Sequence, residues 1–120
     1  MEIRICIDVV DMDRAIEFYT QGLGLRLGRR LRGDWTELLG GPCAIDLLCE
    51  AAGSAPLGQA HPQRRDYTRH WTPLHLDFVV TDVEAAVQRA VDEHHLAVGP
   101  PCHALRLDVE RLDAQPVGRP

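Results

Sequence analysis

The chain predicts an α+β fold built from two paired βαβββ modules, the second incomplete at its C-terminal end, and three observations carry that expectation. A pattern of apolar strand, turn and amphipathic helix occurs twice, over residues 5–19 and again over residues 76–90. A 71-residue register places Asp11 on Asp82 and brings Ile5 onto Leu76, Ile7 onto Phe78, Val9 onto Val80, Met12 onto Val83, Ala15 onto Ala86 and Ile16 onto Val87, apolar on apolar throughout. At 120 residues the chain has the length of one domain, so two halves of this size must share one core, with a cleft between them as the natural binding site. The expected organisation is one domain: module one over residues 1–50, a connector over 51–73 and module two over 74–120.

The first strand covers residues 3–10, where apolar side chains alternate and β-branched types dominate, the mark of a strand with one face in a core. Asp11 follows with a short carboxylate able to accept the free N–H groups of a helical first turn. Met12, Ala15, Ile16 and Tyr19 then recur at helical spacing as one apolar stripe, and Gly22 and Gly24 end it. Three more strands are expected at residues 25–30, 34–40 and 43–49, separated by Arg32-Gly33-Asp34 and Gly40-Gly41-Pro42.

Between residues 51 and 73 no period survives. This stretch reads as an exposed connector or mobile flap, with Trp71 an anchor where the chain re-enters the fold. Its Arg64, Arg65 and Arg69 either form a solvated face or meet an anionic ligand. A strand over residues 74–80 opens the second module. Thr81-Asp82-Val83-Glu84 has the form of a capping box, and Val83, Ala86, Val87, Ala90 and Val91 make one helical stripe closed by His94 and His95. Residues 96–98 and 105–109 are candidate strands. The prolines and glycine of residues 113–120 do not suit a central strand, which leaves the second copy one strand short.

Bulk composition narrows the function. A formal charge of −5 argues against a nucleic-acid partner, and no apolar run approaches the roughly 20 residues that span a bilayer. The N-terminus lacks the pattern of a signal peptide, so a cytoplasmic location is expected. Cys6, Cys43, Cys49 and Cys102 show no Cys-x-x-Cys spacing and lie mostly in apolar runs, so reduced, buried thiols are expected.

The run Asp11-Met12-Asp13-Arg14-Ala15-Ile16-Glu17-Phe18-Tyr19, then Gly22-Leu23-Gly24-Leu25, resembles the opening module of the vicinal oxygen chelate superfamily. His75-Leu76-Asp77-Phe78-Val79-Val80-Thr81-Asp82-Val83 is similar to the start of its second module. That superfamily includes glyoxalase I, extradiol dioxygenases, fosfomycin-resistance transferases and bleomycin-resistance proteins. The resemblance implies a curved sheet around a cleft, often completed by dimerisation. In the enzymes it implies a divalent metal held by one residue from the first strand of each module and one from the last. Carried onto this chain, those positions fall at Arg4, Asp46, His75 and, on an unclear last strand, Glu110. Asp46 and His75 suit a metal as oxygen and nitrogen ligands. Arg4 does not, because its guanidinium stays protonated. The residues leave two placements for Asp46, as a metal ligand or as the partner of Arg4 across the sheet.

Three functional expectations follow. The first is a metal-free protein that binds a small molecule in the inter-module cleft as a homodimer, without nucleic-acid or membrane partners. Arg4, Asp46 and His75 would contact the ligand, and Trp35 or Tyr19 would stack on it. The second is a metal-dependent lyase, isomerase or dioxygenase with a weakly held zinc, nickel, manganese or iron ion on His75, Asp46 and Glu110. The third is a truncated family member without activity, needing a partner subunit to cover its open sheet edge. No catalytic residue can be named from the sequence.

Overall fold

The computed structural model describes residues 1–68, 70–74 and 76–97. Strand β1 (Arg4–Val9) leads through helix α1 (Met12–Glu17) and a single wide π turn (Phe18–Gly22) into strands β2 (Arg26–Leu31), β3 (Trp35–Leu39) and β4 (Ala44–Cys49), and helix α2 (Val83–Ala97) follows the connector. The sheet order is β1-β4-β3-β2. β4 lies parallel to β1 and antiparallel to β3, and β3 is antiparallel to β2. Residues 4–49 therefore form one complete βαβββ module, as the sequence predicts.

Because side chains alternate along each strand, the registers fix what each sheet face carries. Ile5, Ile7 and Val9 of β1 share a face with Ile45 and Leu47 of β4 and with Thr36 and Leu38 of β3. This is the helix-covered face: Leu38, Ile45 and Leu47 join Met12, Phe18, Tyr19 and Ala90 in one buried cluster, with Ile5, Ile7, Val9 and Ile16 packed against it. The same alternation places Arg4, Cys6, Asp8, Trp35, Glu37 and Asp46 on the opposite face, an open one in that no helix among the described residues packs on it.

α1 passes into the π turn rather than stopping. Thr20 Oγ1 donates to the Ile16 carbonyl, Leu23 N–H reaches the Phe18 carbonyl, and Gly24, with φ +76°, supplies the left-handed residue that turns the chain toward β2. Phe18 and Tyr19, adjacent in sequence, are thereby both buried, packed edge to face at 5.3 Å between ring centres. Tyr19 belongs to the core, which removes it from the expected stacking residues.

The internal repeat is realised at the helix starts. Asp11 Oδ1 accepts from Arg14 N–H at 3.1 Å and the Asp11 carbonyl from Ala15 N–H at 3.1 Å; 71 residues on, Asp82 Oδ1 accepts from Ala85 N–H at 2.9 Å and the Asp82 carbonyl from Ala86 N–H at 3.1 Å. The cap of α2 is therefore Asp82, not Thr81 as the capping-box reading has it. The repeat stops short of the preceding strand. Among the described residues of 74–80 no strand is formed, and none of the described strands pairs with them. Leu76 and Phe78 are half-buried, with Phe78 against the core, whereas Val79 and Val80 are exposed, although the 71-residue register aligns Val80 with the half-buried Val9. Leu96 and Ala97 continue α2, so the strand expected at 96–98 is not formed at its two described residues. The candidate strand at 105–109 and the tail lie outside the described residues.

The connector is exposed but tied down. Arg65 exchanges backbone hydrogen bonds with Gly53 and Ser54, its guanidinium donates to Asp8 Oδ2 at 2.8 Å, and Tyr67 Oη donates to the Glu50 carbonyl at 2.8 Å. The Asp8 bond is the largest of the effects that raise the Arg65 pKa, and the same bond ties the connector to β1.

Candidate functional site

Four charged side chains cross the open face from one sheet edge to the other. β1 and β4 pair Cys6 with Asp46, and β3 and β4 pair Glu37 with Asp46, so two carboxylates stand side by side on neighbouring strands. Like charges in that relation repel, and each has only 7% of its side chain exposed, so each needs a counter-charge. Arg4 supplies the first. Its Nε donates to Asp46 Oδ2 at 2.8 Å and its Nη2 to Asp46 Oδ1 at 2.6 Å, a bidentate fork, and Nη2 also reaches Glu37 Oε1 at 2.8 Å.

Arg29 supplies the second, through Nη2 to Glu37 Oε1 at 2.9 Å and Nε to Glu37 Oε2 at 3.0 Å, with its backbone N–H directed at Oε2 at 3.4 Å. A bulge in β2 between Leu27 and Arg30 lets Arg29 reach inward in this way. Gly28 in that bulge leaves room for the carboxylate: a Cβ there would stand 2.8 Å from Glu37 Oε2 and 3.0 Å from the Glu37 carbonyl. The Arg29 guanidinium also lies 5.6 Å from the centre of the Trp35 ring, within cation–π range.

The electrostatics follow from these bonds. Hydrogen bonds first from Arg29 and then from Arg4 hold the Glu37 carboxyl down to about 2. The bonds to Asp46 first and Glu37 second raise the Arg4 pKa, and the bond to Glu37 raises that of Arg29. Two guanidiniums and two carboxylates sum to zero, so the quartet is a fixed, neutral array of charges. Its exposed part is cationic and aromatic: Arg29 is 72% exposed, Trp35 is half-buried, and Arg4 Nη1, which takes no part in the bonds to Asp46 and Glu37, lies 3.6 Å from the exposed Glu2 carboxylate. Such an array can hold a hydrogen-bond acceptor by charge-assisted bonds beside a flat apolar surface.

Of the site residues expected from sequence, Arg4, Trp35 and Asp46 come together here, and Asp46 takes the second of its two placements, as the bidentate partner of Arg4. His75, Glu110 and Arg69 lie outside the described residues. Glu37, Arg29 and Gly28 were not expected. Strand parity was the available signal for Glu37, two residues from Trp35 and the one charged residue of its strand. Cys6 is exposed on this same face, contrary to the expected burial, because its place in β1 has the parity of Arg4 and Asp8. Cys43 and Cys49 are half-buried free thiols, and Cys102 lies outside the described residues.

A divalent metal does not fit this donor set. Both carboxylates are committed to guanidiniums, Arg4 has no lone pair to offer, and no group of three His, Cys, Asp or Glu side chains converges among the described residues.

A four-stranded sheet in which β1 and β4 run parallel, with the helices on one face and a polar array on the other, is the module of glyoxalase-like α+β proteins. The family model described as "Glyoxalase-like domain" matches residues 4–93, three quarters of the chain, and the chain belongs to that family, within the vicinal oxygen chelate superfamily. Among solved structures it is similar to SMU.1112c, with 20% identity, a TM-score of 0.47 and coverage of 77% of this chain and 73% of that one. It is also similar to the lactoylglutathione lyase from Agrobacterium tumefaciens, with 18% identity, a TM-score of 0.45 and coverage of 80% and 69%. No curated protein matches the chain.

Proposed function

We propose that this glyoxalase-like protein binds a small organic molecule on the open sheet face without using a metal, Arg4 and Arg29 donating to an acceptor group of the ligand and Trp35 packing on its apolar part. The observation that carries this reading is the bidentate Arg4–Asp46 pair, which fixes the guanidinium on this face through Nε and Nη2 and leaves Nη1, 3.6 Å from the exposed Glu2 carboxylate, outside those bonds. His75 is a further ligand contact in this reading. The alternative, a metal-dependent lyase, isomerase or dioxygenase acting through Asp46, His75 and Glu110, requires Asp46 to give up Arg4, and that cost places it second. A thermal-shift screen of small carboxylates and carbonyl compounds tests the proposal. Hits are expected to raise the melting temperature of the wild type and to lose at least about tenfold in affinity in Arg4→Gln, as removing a charge-assisted bond of roughly 1.5–3 kcal/mol predicts. Hits that bind Arg4→Gln equally well contradict it.

The same reading includes a cytoplasmic homodimer without nucleic-acid or membrane partners. The net charge of −5 supports the first exclusion, and no helix among the described residues is long and apolar enough to cross a membrane. The dimer is supported by the sheet itself: β1 and β2 each pair on one side only among the described residues, and an edge with unpaired N–H and C=O groups is commonly covered by a second chain. Sedimentation at micromolar concentration is expected to give twice the chain mass of 13.4 kDa, and a well-behaved monomer rejects the dimer while leaving ligand binding open.

A further inference from the structure

We propose that Arg4 is the resident cation of the open face, a guanidinium that occupies the place between Asp46 and Glu37 and closes it to divalent metal ions. One nitrogen carries the argument. Arg4 Nη2 lies 2.6 Å from Asp46 Oδ1 and 2.8 Å from Glu37 Oε1, so it bridges the two carboxylates where a bridging ion would have to sit. Metal–oxygen bonds of about 2.0–2.6 Å to those same oxygens require that nitrogen to leave.

The carboxylates cannot separate to make room for both. The β3–β4 register sets Glu37 opposite Asp46, and Arg29 with the Gly28 cradle pins the Glu37 head from its far side. Charge balance points the same way. With Arg4 and Arg29 present the charges of Glu37 and Asp46 are balanced, and the further carboxylate beside Arg4, that of Glu2 at 3.6 Å from Nη1, is exposed to solvent. Without Arg4 the remaining three groups carry −1, and two oxygen-bearing side chains lose their shared partner. The inference concerns the same face as the ligand reading but does not depend on it, since metal exclusion holds whether or not an organic ligand binds.

Zinc and manganese titrated into wild type, Asp46→Asn, Arg4→His and Arg4→His with Asp46→Asn, followed by calorimetry and native mass spectrometry, test this. The wild type is expected to show no binding that Asp46→Asn removes. Arg4→His is expected to take one ion at least tenfold more tightly than wild type, and to lose it when Asp46→Asn is added. One equivalent bound by the wild type and lost in Asp46→Asn overturns the proposal, as does Arg4→His binding no more tightly than wild type. Should Arg4→His fail to fold, the wild-type titration compared with Asp46→Asn still decides, because exclusion predicts no difference between them. These readouts involve no organic ligand, so a negative ligand screen and a failed metal test remain separate results.

Discussion

Glu37 accepts four hydrogen bonds from two arginines, and its carboxyl titrates near 2 in the fold against an ordinary value of 4.5. A carboxyl whose folded pKa is depressed stabilises the protein fully above its unfolded value and loses that contribution as pH falls through the folded one. The stability attributable to Glu37 is therefore complete above about pH 4.5 and lost progressively toward pH 2. Urea midpoints of wild type and Glu37→Gln are expected to differ most at neutral pH and to converge as pH drops from 4.5 toward 2; a constant difference across that range contradicts the ion-pair assignment. At this scale the sequence was partly legible. Arg4 and Asp46 were two of the positions that the resemblance singled out, and their pairing was open in the residues themselves. Glu37 and Arg29 were hidden because the pair depends on a bulge in β2, and nothing in Arg26-Leu27-Gly28-Arg29-Arg30-Leu31 alone says which arginine turns inward.

The two helix starts are chemically the same structure made twice. Asp11 and Asp82 each bond the N–H three residues on, with their carbonyls taking the fourth. Replacing an aspartate N-cap by alanine costs about 1 kcal/mol, within a range of roughly 0.5–2. Asp11→Ala and Asp82→Ala are therefore expected to lower stability by similar amounts in urea denaturation. A loss at Asp11 with none at Asp82 would show that α2 contributes little to the folded state. The β1–α1 unit and all three following strands were legible because alternation and helical spacing are local signals. The strand expected over residues 74–80 has the right local pattern and is not formed among its described residues, because a strand exists only through a neighbour to pair with, which local pattern does not report. Long-range pairing also explains the connector. Arg65 reaches Asp8, 57 residues away, and a stretch with no period is thereby fixed to the end of β1.

For the whole molecule, the layering decides what the protein can do. Helix α1 and the π turn build the core on one face of the sheet, with α2 packed against them through Ala90, and the opposite face carries a neutral array of two guanidiniums and two carboxylates with Trp35 beside it. Family membership supplies the fold and leaves the reaction open, since glyoxalase-like modules support unrelated chemistries and function belongs to the particular site. The site here is set apart by Arg4. The central claim, that the open face receives a small molecule through this array, is tested most directly by nuclear magnetic resonance on the wild-type chain. The arginine Nε–H, tryptophan indole N–H and backbone amide signals are followed while a hit from the carboxylate and carbonyl screen is titrated. Saturable shifts of Arg4, Arg29 and Trp35, with Phe18 and Tyr19 unmoved, are the predicted result. Shifts confined to the helix-covered face or the connector, with the Arg4 and Trp35 signals unchanged at saturation, would contradict it.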